Sequence, residues 1–313
     1  MRRTLSVLCV TLLLRAPSLR AQGMAVTRTQ EALATRIRDA IGRVPGAEVA
    51  VSVRDLASGV AVDVAPNVVF HAASTMKLPV MLAVLRAVDE RRLALDQGIR
   101  LVNRFHSIVD GSPYALDAGD DSDSSMYARV GTRVSVQELL TRMIVRSSNL
   151  ATNALISIVG AEAAEADAHA LGAGQLRVLR GVEDSKAFAA GLNNTVTACD
   201  LAVLLAHVER GDALTPASAR LMKEILLRQE QNEEIPAGVP PGTPVAHKTG
   251  SITATLHDAA LVYPPGRPPY ILVVLTRNIR DEAIARALII GISRDVWNAL
   301  VAPGAGASPV AGR

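Results

Sequence analysis

Strand patterns lie at both ends of this sequence, and helical patterns fill the middle. Near the amino end, two runs at 48–54 and 59–64 are rich in valine and meet at a turn. Near the carboxyl end, apolar runs at 259–263 and 270–276 are joined by Pro264-Pro265-Gly266-Arg267, a strong turn signal. Strands from both ends that share one sheet make the chain between them an insertion. We therefore predict an α/β (α+β) fold in which an antiparallel sheet from both termini, with flanking helices, carries an inserted all-helical subdomain.

Helical periodicity predicts the remaining elements. Residues 27–42 and 281–301 repeat apolar residues on one face and are expected to flank the sheet. The helices predicted within the insertion are 75–93, 135–146, 149–159, 198–209 and 216–230. The sheet part then covers about 27–70 and 240–302, and the helical part about 71–239. A ligand cleft is expected where the two parts meet.

The first 21 residues have the layout of a secretory signal peptide. Two arginines precede an apolar run at 5–14, and the small residue Ala21 is the expected cleavage point. This segment carries four arginines and no acid, so its removal changes the formal net charge from +3 to about −1. We expect a secreted or periplasmic catalytic domain at 22–313 with no membrane anchor after processing.

Several classes of function find no support in the composition. The processed chain has no basic stripe or set of stacking aromatics, so nucleic acid is not an expected partner. The histidines are scattered, and no metal site is expected. The acidic run at 120–125 is interpreted as a solvated loop rather than a calcium site. Cys199 alone remains after processing, which excludes an internal disulfide. A Ser–His–Asp triad stays open, although no Gly-x-Ser-x-Gly motif supports it.

The choice of basic residues is uneven. Of the 33 lysines and arginines, only Lys77, Lys186, Lys223 and Lys248 are lysines. A buried lysine can lose its proton and act as a base, whereas an arginine keeps its charge. A chain that uses arginine almost everywhere is therefore expected to keep some of its lysines for chemistry.

Lys77 closes the motif Ser74-Thr75-Met76-Lys77, which opens an apolar helical run. Positions i and i+3 share a helix face, so the serine hydroxyl and the lysine amine can meet. The positive end of the helix dipole favours an anionic nucleophile, and backbone N–H groups there can receive an oxyanion. The alternative is an N-cap serine followed by a surface lysine.

Two further motifs carry polar side chains. Ser147-Ser148-Asn149 lies between two predicted helices, where it offers a proton donor and an amide partner or, alternatively, an ordinary helix cap. Lys248-Thr249-Gly250-Ser251 precedes the carboxyl-terminal strand pair. A strand of this composition lines a cleft with donors, and its glycine allows the close approach of a substrate backbone. A substrate that bears a carboxylate would suit it.

Together the three motifs are specific. Ser-x-x-Lys, Ser-x-Asn and Lys-Thr-Gly follow one another in this order, about seventy and one hundred residues apart, as they do in class A β-lactamases and penicillin-binding proteins. The sequence therefore resembles the class A β-lactamase family over roughly residues 30–302. The resemblance implies a β-lactamase/transpeptidase-like fold and a monomeric serine hydrolase that acts on small cyclic amides without a cofactor.

The resemblance also implies roles for the motif residues in acylation. Ser74 attacks the β-lactam carbonyl and becomes acylated, and Lys77 helps to activate it. Ser147 passes a proton to the leaving nitrogen, and Asn149 holds the amide of the substrate's side chain.

On the strand motif, the resemblance implies substrate binding. Lys248 and Thr249 bind the substrate carboxylate, next to Gly250. The backbone N–H groups of Ser74 and Ser251 form the oxyanion hole. Arg267, Arg277 and Arg286 are all candidates to assist Lys248.

Release of the acyl group is the step for which the sequence departs from the family pattern. The family activates water with a glutamate on a loop, here within 180–197, and Glu183 is the candidate base, with a surface acid as the alternative. The usual Glu-x-x-Leu-Asn pattern is absent because Lys186 stands three residues after Glu183. The family usually has aspartate where this chain has Ser148, and the stretch 103–133 is longer than its counterpart.

These departures leave two functions open. One is a β-lactamase with turnover. The other is a penicillin-binding relative, either a D,D-peptidase or esterase or a protein that traps β-lactams with slow deacylation. The two differ in the lifetime of the acyl-enzyme.

Overall fold

The computed structural model describes residues 19–302, and side chains from residue 23. The apolar run of the predicted signal peptide lies outside the described residues. The first helix begins at Leu19 rather than at the predicted residue 27. In the described part of the chain, no helix is both long enough and apolar enough to cross a membrane.

Short and long strands alternate with helices along the chain. The strands are β1 (Glu48–Asp55), β2 (Ala61–Val64), β3 (Phe70–His71), β4 (Gly98–Arg100), β5 (Phe105–His106), β6 (Pro113–Tyr114), β7 (Arg133–Ser135), β8 (Thr195–Val196), β9 (Val245–Ile252), β10 (Thr255–Val262) and β11 (Tyr270–Arg277). The helices are α1 (Leu19–Gly42), α2 (Lys77–Asp89), α3 (Val136–Val145), α4 (Asn149–Val159), α5 (Ala161–Ala170), α6 (Ser185–Ala189), α7 (Ala198–Arg210), α8 (Pro216–Leu226) and α9 (Glu282–Leu300). Short 3₁₀ turns lie at Ala73–Met76, Ser124–Arg129 and Ile235–Gly238.

The main sheet has five antiparallel strands in the order β2-β1-β11-β10-β9. β1 from the amino end pairs along its whole length with β11 from the carboxyl end, with Val51 opposite Val274. The predicted antiparallel sheet from both termini is therefore confirmed. β9, which carries the Lys-Thr-Gly motif, is the outermost strand on one side, so its free edge is available to a ligand.

Both faces of the sheet are buried, which explains why its strands are nearly continuous apolar runs. α1 and α9 pack on one face, against side chains such as Val51 and Val274. The helical part packs on the other face through α7, against side chains such as Ala50 and Val273. The inserted helices and this face of the sheet share one core.

Most helix predictions in the insertion are correct within one residue. α3 is capped by the hydroxyl of Ser135, and α7 by that of Thr197, each of which accepts from an N–H of the first turn. The sequence predicts a start at residue 75 for α2, but a 3₁₀ turn at Ala73–Met76 precedes the helix. α8 ends at Leu226 instead of residue 230. The sequence pattern does not predict α5 and α6.

The interpretation of the acidic run 120–125 as a solvated loop is wrong for two of its members. The side chains of Asp121 and Asp123 are buried, while their neighbours Asp120 and Ser122 are exposed. Asp123 pairs with Arg142 and is close to Arg146. A buried carboxylate needs such partners because its desolvation is costly. Within residues 23–302 no group of three or more potential metal ligands was found.

Candidate active site

Ser74 lies in the 3₁₀ turn directly before α2. The turn is tight: the N–H and the hydroxyl of Thr75 both donate to the carbonyl of Ala72, at 3.0 and 2.6 Å. Ala73 adopts a φ of 45°, a left-handed conformation that an alanine rarely takes. Ser74 itself is half-buried. The turn thus keeps the serine accessible while its neighbours Thr75 and Met76 are buried.

Lys77 is the first residue of α2 and is fully buried. Its Nζ donates to the carbonyl oxygen of Ser147 at 2.6 Å, to Ser147 Oγ at 3.0 Å and to Asn149 Oδ1 at 2.9 Å. Burial holds the pKa of Lys77 well below its ordinary value, and the nearby charge of Lys248 acts in the same direction. The surface-lysine alternative is therefore wrong.

The segment between α3 and α4 divides its roles among three residues. Ser148 is the N-cap of α4, since its hydroxyl accepts from the N–H of Ala151 at 3.3 Å. Ser147 has a φ of 59°, and this unusual backbone conformation accompanies contacts of both its carbonyl and its hydroxyl with Lys77. The helix-cap alternative is thus right for Ser148, while Ser147 and Asn149 contact the lysine.

The contacts of Lys77 fit both of its protonation states. A charged ammonium donates three hydrogen bonds to the three oxygens around it. A neutral amine donates two, and its lone pair then accepts the hydroxyl proton of Ser147. The 3.0 Å contact between Lys77 Nζ and Ser147 Oγ therefore allows a proton to be shared without any rearrangement of heavy atoms.

Lys248 lies on β9 and is fully buried. Its Nζ donates to the carbonyl of Thr249 at 2.9 Å. Burial lowers the pKa of Lys248 to about 7, against the opposing effect of the Asp258 and Glu234 carboxylates. Burial therefore disfavours the charged form of both lysines at the site, Lys77 and Lys248.

Gly250 brings β9 against the nucleophile. A Cβ atom added to Gly250 would lie 3.0 Å from the backbone nitrogen of Ser74 and 3.1 Å from that of Thr75. Such contacts are tighter than most that a Cβ atom makes, so a side chain here would push the backbone of Ser74 and Thr75 away from β9 by a few tenths of an ångström. Ser251 follows on the same strand and is exposed. The backbone of Ser74 and the strand that carries Ser251 thus face each other, as an oxyanion hole requires.

Thr249 contacts a side chain that the motifs do not include. Its hydroxyl donates to Gln231 Oε1 at 2.6 Å, and its side chain is buried. Gln231 belongs to a segment that also contacts α3, since the N–H of Glu230 donates to the carbonyl of Val145. This segment connects β9 to the end of α3.

Glu183 reaches the same hydrogen-bonded group from the loop at 180–197. Its Oε1 accepts from Asn149 Nδ2 at 2.6 Å, and Asn149 accepts from Lys77 through its other amide atom. Burial raises the pKa of Glu183 above its ordinary value, Asn149 opposes this shift, and Asp121 adds to it. The residue has a φ of 60°, and strained backbone of this kind is common at functional sites.

Asn153 positions this loop, and the sequence motifs do not reveal it. The buried side chain accepts from the N–H of Val182 at 2.7 Å and donates to the carbonyl of the same residue at 3.0 Å. Both backbone groups next to Glu183 are thereby tied to α4. The spacing Asn149–Asn153 was the available signal, because residues four apart share a helix face.

The three arginines considered as partners of Lys248 are paired elsewhere. Arg277 forms an ion pair with Glu48, Arg267 with Asp55, and Arg286 with both Glu234 and Glu282. Next to Ser251, a cavity of about 220 Å³ is lined by the β9–β10 hairpin and by Arg280, which was not among the candidates.

The triad alternative finds no support in the surroundings of the buried histidines. His247 pairs with Asp258 at 3.0 Å, but its other ring nitrogen contacts Asn232 Oδ1. His257 contacts the carbonyls of Leu256 and His71, and burial lowers its pKa to about 4. Both ring nitrogens of each histidine are thus engaged away from Ser74.

A sequence profile described as the beta-lactamase enzyme family matches residues 32–300. The chain belongs to this β-lactamase family. A β-lactamase of Streptomyces lavendulae is 27% identical over 243 residues, which cover 76% of this chain and 77% of that protein.

Solved structures give the same picture of the family. The structure of PBP-A has a TM-score of 0.73 and 28% identity, and covers 86% of this chain and 95% of its own. A variant of PBP-A, described as an acyl-enzyme complex with penicillin G, has a TM-score of 0.73 and 27% identity. An ancestral class A β-lactamase has a TM-score of 0.72 and 28% identity, and covers 87% of this chain and 99% of its own. The resemblance to class A enzymes is confirmed.

Proposed function

We propose that this chain is an exported serine β-lactamase, which hydrolyses the β-lactam amide through an acyl-enzyme on Ser74. The observation that carries the proposal is the hydrogen-bonded group around Lys77. Its amine contacts Ser147 and Asn149, and Asn149 also holds Glu183. The candidate base for acylation, Lys77, and the candidate base for deacylation, Glu183, therefore both form hydrogen bonds with Asn149.

In acylation, Ser74 Oγ forms a bond to the β-lactam carbonyl carbon, and the C–N bond of the ring breaks. As the neutral amine, which its lowered pKa makes available, Lys77 takes the serine proton once its lone pair turns from Ser147 to Ser74. The proton then passes through Ser147 to the leaving nitrogen, because Lys77 Nζ and Ser147 Oγ are 3.0 Å apart. The backbone N–H groups of Ser74 and Ser251 stabilise the developing oxyanion.

Substrate binding is assigned to β9 and the start of α4. The carboxylate of the substrate binds near Lys248 and Thr249, beside Gly250. Its negative charge favours the protonated form of Lys248, whose pKa burial lowers to about 7. Asn149 holds the amide of the substrate's side chain. Arg280 and the cavity beside Ser251 accommodate a further substituent on the strand side.

In deacylation, Glu183 takes a proton from water, whose oxygen attacks the ester carbon of the acyl-enzyme. The ester bond then breaks, and the proton returns to Ser74. Glu183 must be ionised to act as a base, and its pKa is raised by burial. A base whose pKa lies nearer the working pH is also the stronger one.

The runner-up function is that of a penicillin-binding relative with slow deacylation. It is favoured by the comparable likeness to PBP-A and to the ancestral class A enzyme, with TM-scores of 0.73 and 0.72. The contact of Glu183 with Asn149 favours hydrolysis instead, since a protein that only traps the substrate needs no such base.

The experiment that tests the proposal uses residues 22–313 and penicillin G. We expect ring opening with many turnovers, and an adduct that peptide mapping assigns to Ser74. In Ser74→Ala, both are expected to disappear. Hydrolysis at the wild-type rate in that variant would contradict the proposed mechanism.

Export and domain organisation are part of the proposal. We expect the chain to be cleaved after Ala21, so that the catalytic domain 22–313 is secreted or periplasmic and monomeric. Amino-terminal sequencing of the exported product tests the cleavage point, and light scattering tests the monomer.

A further inference from the structure

Asp121 lies in the acidic run, 28 residues before Asn149 in the sequence, yet its buried carboxylate contacts the first turn of α4. We propose that Asp121 is a positioning residue for the reaction: its carboxylate fixes the start of α4 so that Asn149 bridges Lys77 and Glu183. The inference rests on the proposed function and extends it to a residue outside the three motifs.

The first-turn N–H groups of α4 depend on this carboxylate. Asn149 N–H donates to both oxygens of Asp121, at 3.1 and 3.0 Å, and Leu150 N–H donates to Oδ2 at 2.9 Å. Ala151 N–H donates to the hydroxyl of Ser148, and Thr152 N–H to its carbonyl. Helix starts leave four such donors without an intrahelical partner. Asp121 accepts from the first two N–H groups of the helix, those of Asn149 and Leu150, and the hydroxyl of Ser148 accepts from the third.

Asp121 is itself firmly held. Its Oδ1 accepts from the N–H of Asp123 at 2.9 Å, and its Oδ2 accepts from the hydroxyl of Tyr127 at 3.1 Å. The pairing of Asp123 with Arg142 ties the same loop to α3. The carboxylate of Asp121 therefore connects the acidic run to the start of α4.

The position of Asn149 matters because its side chain has two partners. Its Oδ1 accepts from Lys77 Nζ at 2.9 Å, and its Nδ2 donates to Glu183 at 2.6 Å. A small rotation of the first turn of α4 would break both contacts at once. Misplacement of catalytic groups by about 1 Å can cost about a hundredfold in rate.

Asp121 also acts through its charge. Its carboxylate partly offsets the lowering of the pKa of Lys77 by burial, and it adds to the raising of the pKa of Glu183 by burial. The sign is the same for both groups, because a negative neighbour favours the protonated form of a base. Removal of this charge is expected to lower both pKa values. A residue that only capped the helix would leave them unchanged.

The test compares Asp121→Asn with Asp89→Asn in the chain 22–313. Asparagine keeps the shape of the side chain but removes the charge. It also places an amide NH₂ group next to the N–H donors at the start of α4. Asp89 is a matched control, since its carboxylate also accepts hydrogen bonds at the start of a helix. Its donors are the N–H and hydroxyl of Thr215 and the hydroxyl of Ser218, at α8 rather than α4. Acylation and release rate constants are measured with penicillin G by rapid-quench mass spectrometry, from about pH 5 to 9.

In Asp121→Asn we expect both rate constants to fall by roughly ten- to a hundredfold. The pH midpoints at which they rise should move to lower pH. Asp89→Asn should keep the wild-type rate constants and midpoints in its folded fraction. Wild-type rate constants and midpoints in Asp121→Asn, or an equal loss in both variants, would overturn the inference.

A second variant applies if Asp121→Asn does not fold. Asp121→Asn combined with Ser148→Asp returns a carboxylate to the start of α4, where aspartate is a favoured N-cap. We expect this variant to fold and to acylate within about tenfold of wild type; a folded double variant that does not acylate would overturn the inference. Absence of any adduct in wild type would instead contradict the proposed function.

Discussion

The two halves of the proposed reaction are held in place by different means. The acylation residues lie on regular elements with buried surroundings: Lys77 opens α2, and Lys248 lies within β9. Glu183 lies on a loop, and side chains of α4, Asn149 and Asn153, hold it there. Packed elements resist displacement more than loops do. Acylation is therefore expected to tolerate mutation better than release.

This difference also matches the departures from the family pattern. The motif residues of acylation are all present, whereas the loop at 180–197 lacks the usual residues after its glutamate. Within the loop, Arg180 Nε donates to the carbonyl of Leu192, and its guanidinium also donates to Asn193 Oδ1. A change in the loop would alter the lifetime of the acyl-enzyme and leave its formation intact.

The largest effect is expected at the centre of the acylation half. Lys77→Arg keeps a positive charge but cannot give up its proton, so acylation should slow by roughly 10²- to 10⁴-fold. Rapid-quench mass spectrometry measures the rate constant. Lys223→Arg, a partly exposed lysine near Glu209, is the matched control and should acylate normally. Near-normal acylation in Lys77→Arg would mean that Lys77 supplies charge alone.

Gly250→Ala tests a part of the site that acylation and release are both expected to use. The added methyl group would meet the backbone nitrogens of Ser74 and Thr75 at 3.0 and 3.1 Å. Displacement of the oxyanion donors should slow acylation and release alike, by roughly 10²- to 10³-fold. Gly291→Ala is the control, because nothing lies within 4 Å of the added atom in α9. A selective loss of release alone would contradict this shared role.

Asn153→Ala tests whether release can be slowed without slowing acylation. It removes both contacts to Val182, so the loop around Glu183 should loosen and release should slow by roughly tenfold, with little change in acylation. The loss of buried hydrogen bonds should also reduce the free energy of unfolding by about 1–3 kcal/mol. Ser157→Ala, which removes a contact within the same helix, controls for stability. An equal slowing of acylation would show that the halves are not separable in this way.

The pH dependence gives the smallest effect and separates the halves by their bases. Release should rise with pH as Glu183 ionises, at a midpoint above the ordinary value for glutamate because its pKa is raised. Acylation should rise as Lys77 loses its proton, at a midpoint below the ordinary value for lysine because its pKa is lowered. Single-turnover rates across pH measure both midpoints. Midpoints at the ordinary values would contradict the burial of these groups.

Local patterns predicted which elements carry the acylation candidates, and non-local contacts explain what these patterns missed. The place of Lys77 at the start of α2 and the strand character of the Lys-Thr-Gly motif follow from the sequence. The spacing also suggested a contact with Ser74, but the amine of Lys77 donates to Ser147 and Asn149 instead.

The position of Asp121 does not follow from the sequence, because its partners are 28 and 29 residues away and an acidic run is usually exposed. The same holds for Asn153 and Val182, which are 29 residues apart. Contacts of this kind depend on how elements pack, which periodicity does not encode.

The central claim is that one asparagine links a working acylation base to a working deacylation base. The most direct test is the intact mass of wild type and of Glu183→Gln, followed against time after mixing with penicillin G. In wild type we predict an adduct that vanishes as the antibiotic is consumed. In Glu183→Gln the adduct should form at the wild-type rate and persist roughly 10²- to 10⁴-fold longer. A wild-type adduct that persists, or equal adduct lifetimes in the two proteins, would contradict the account.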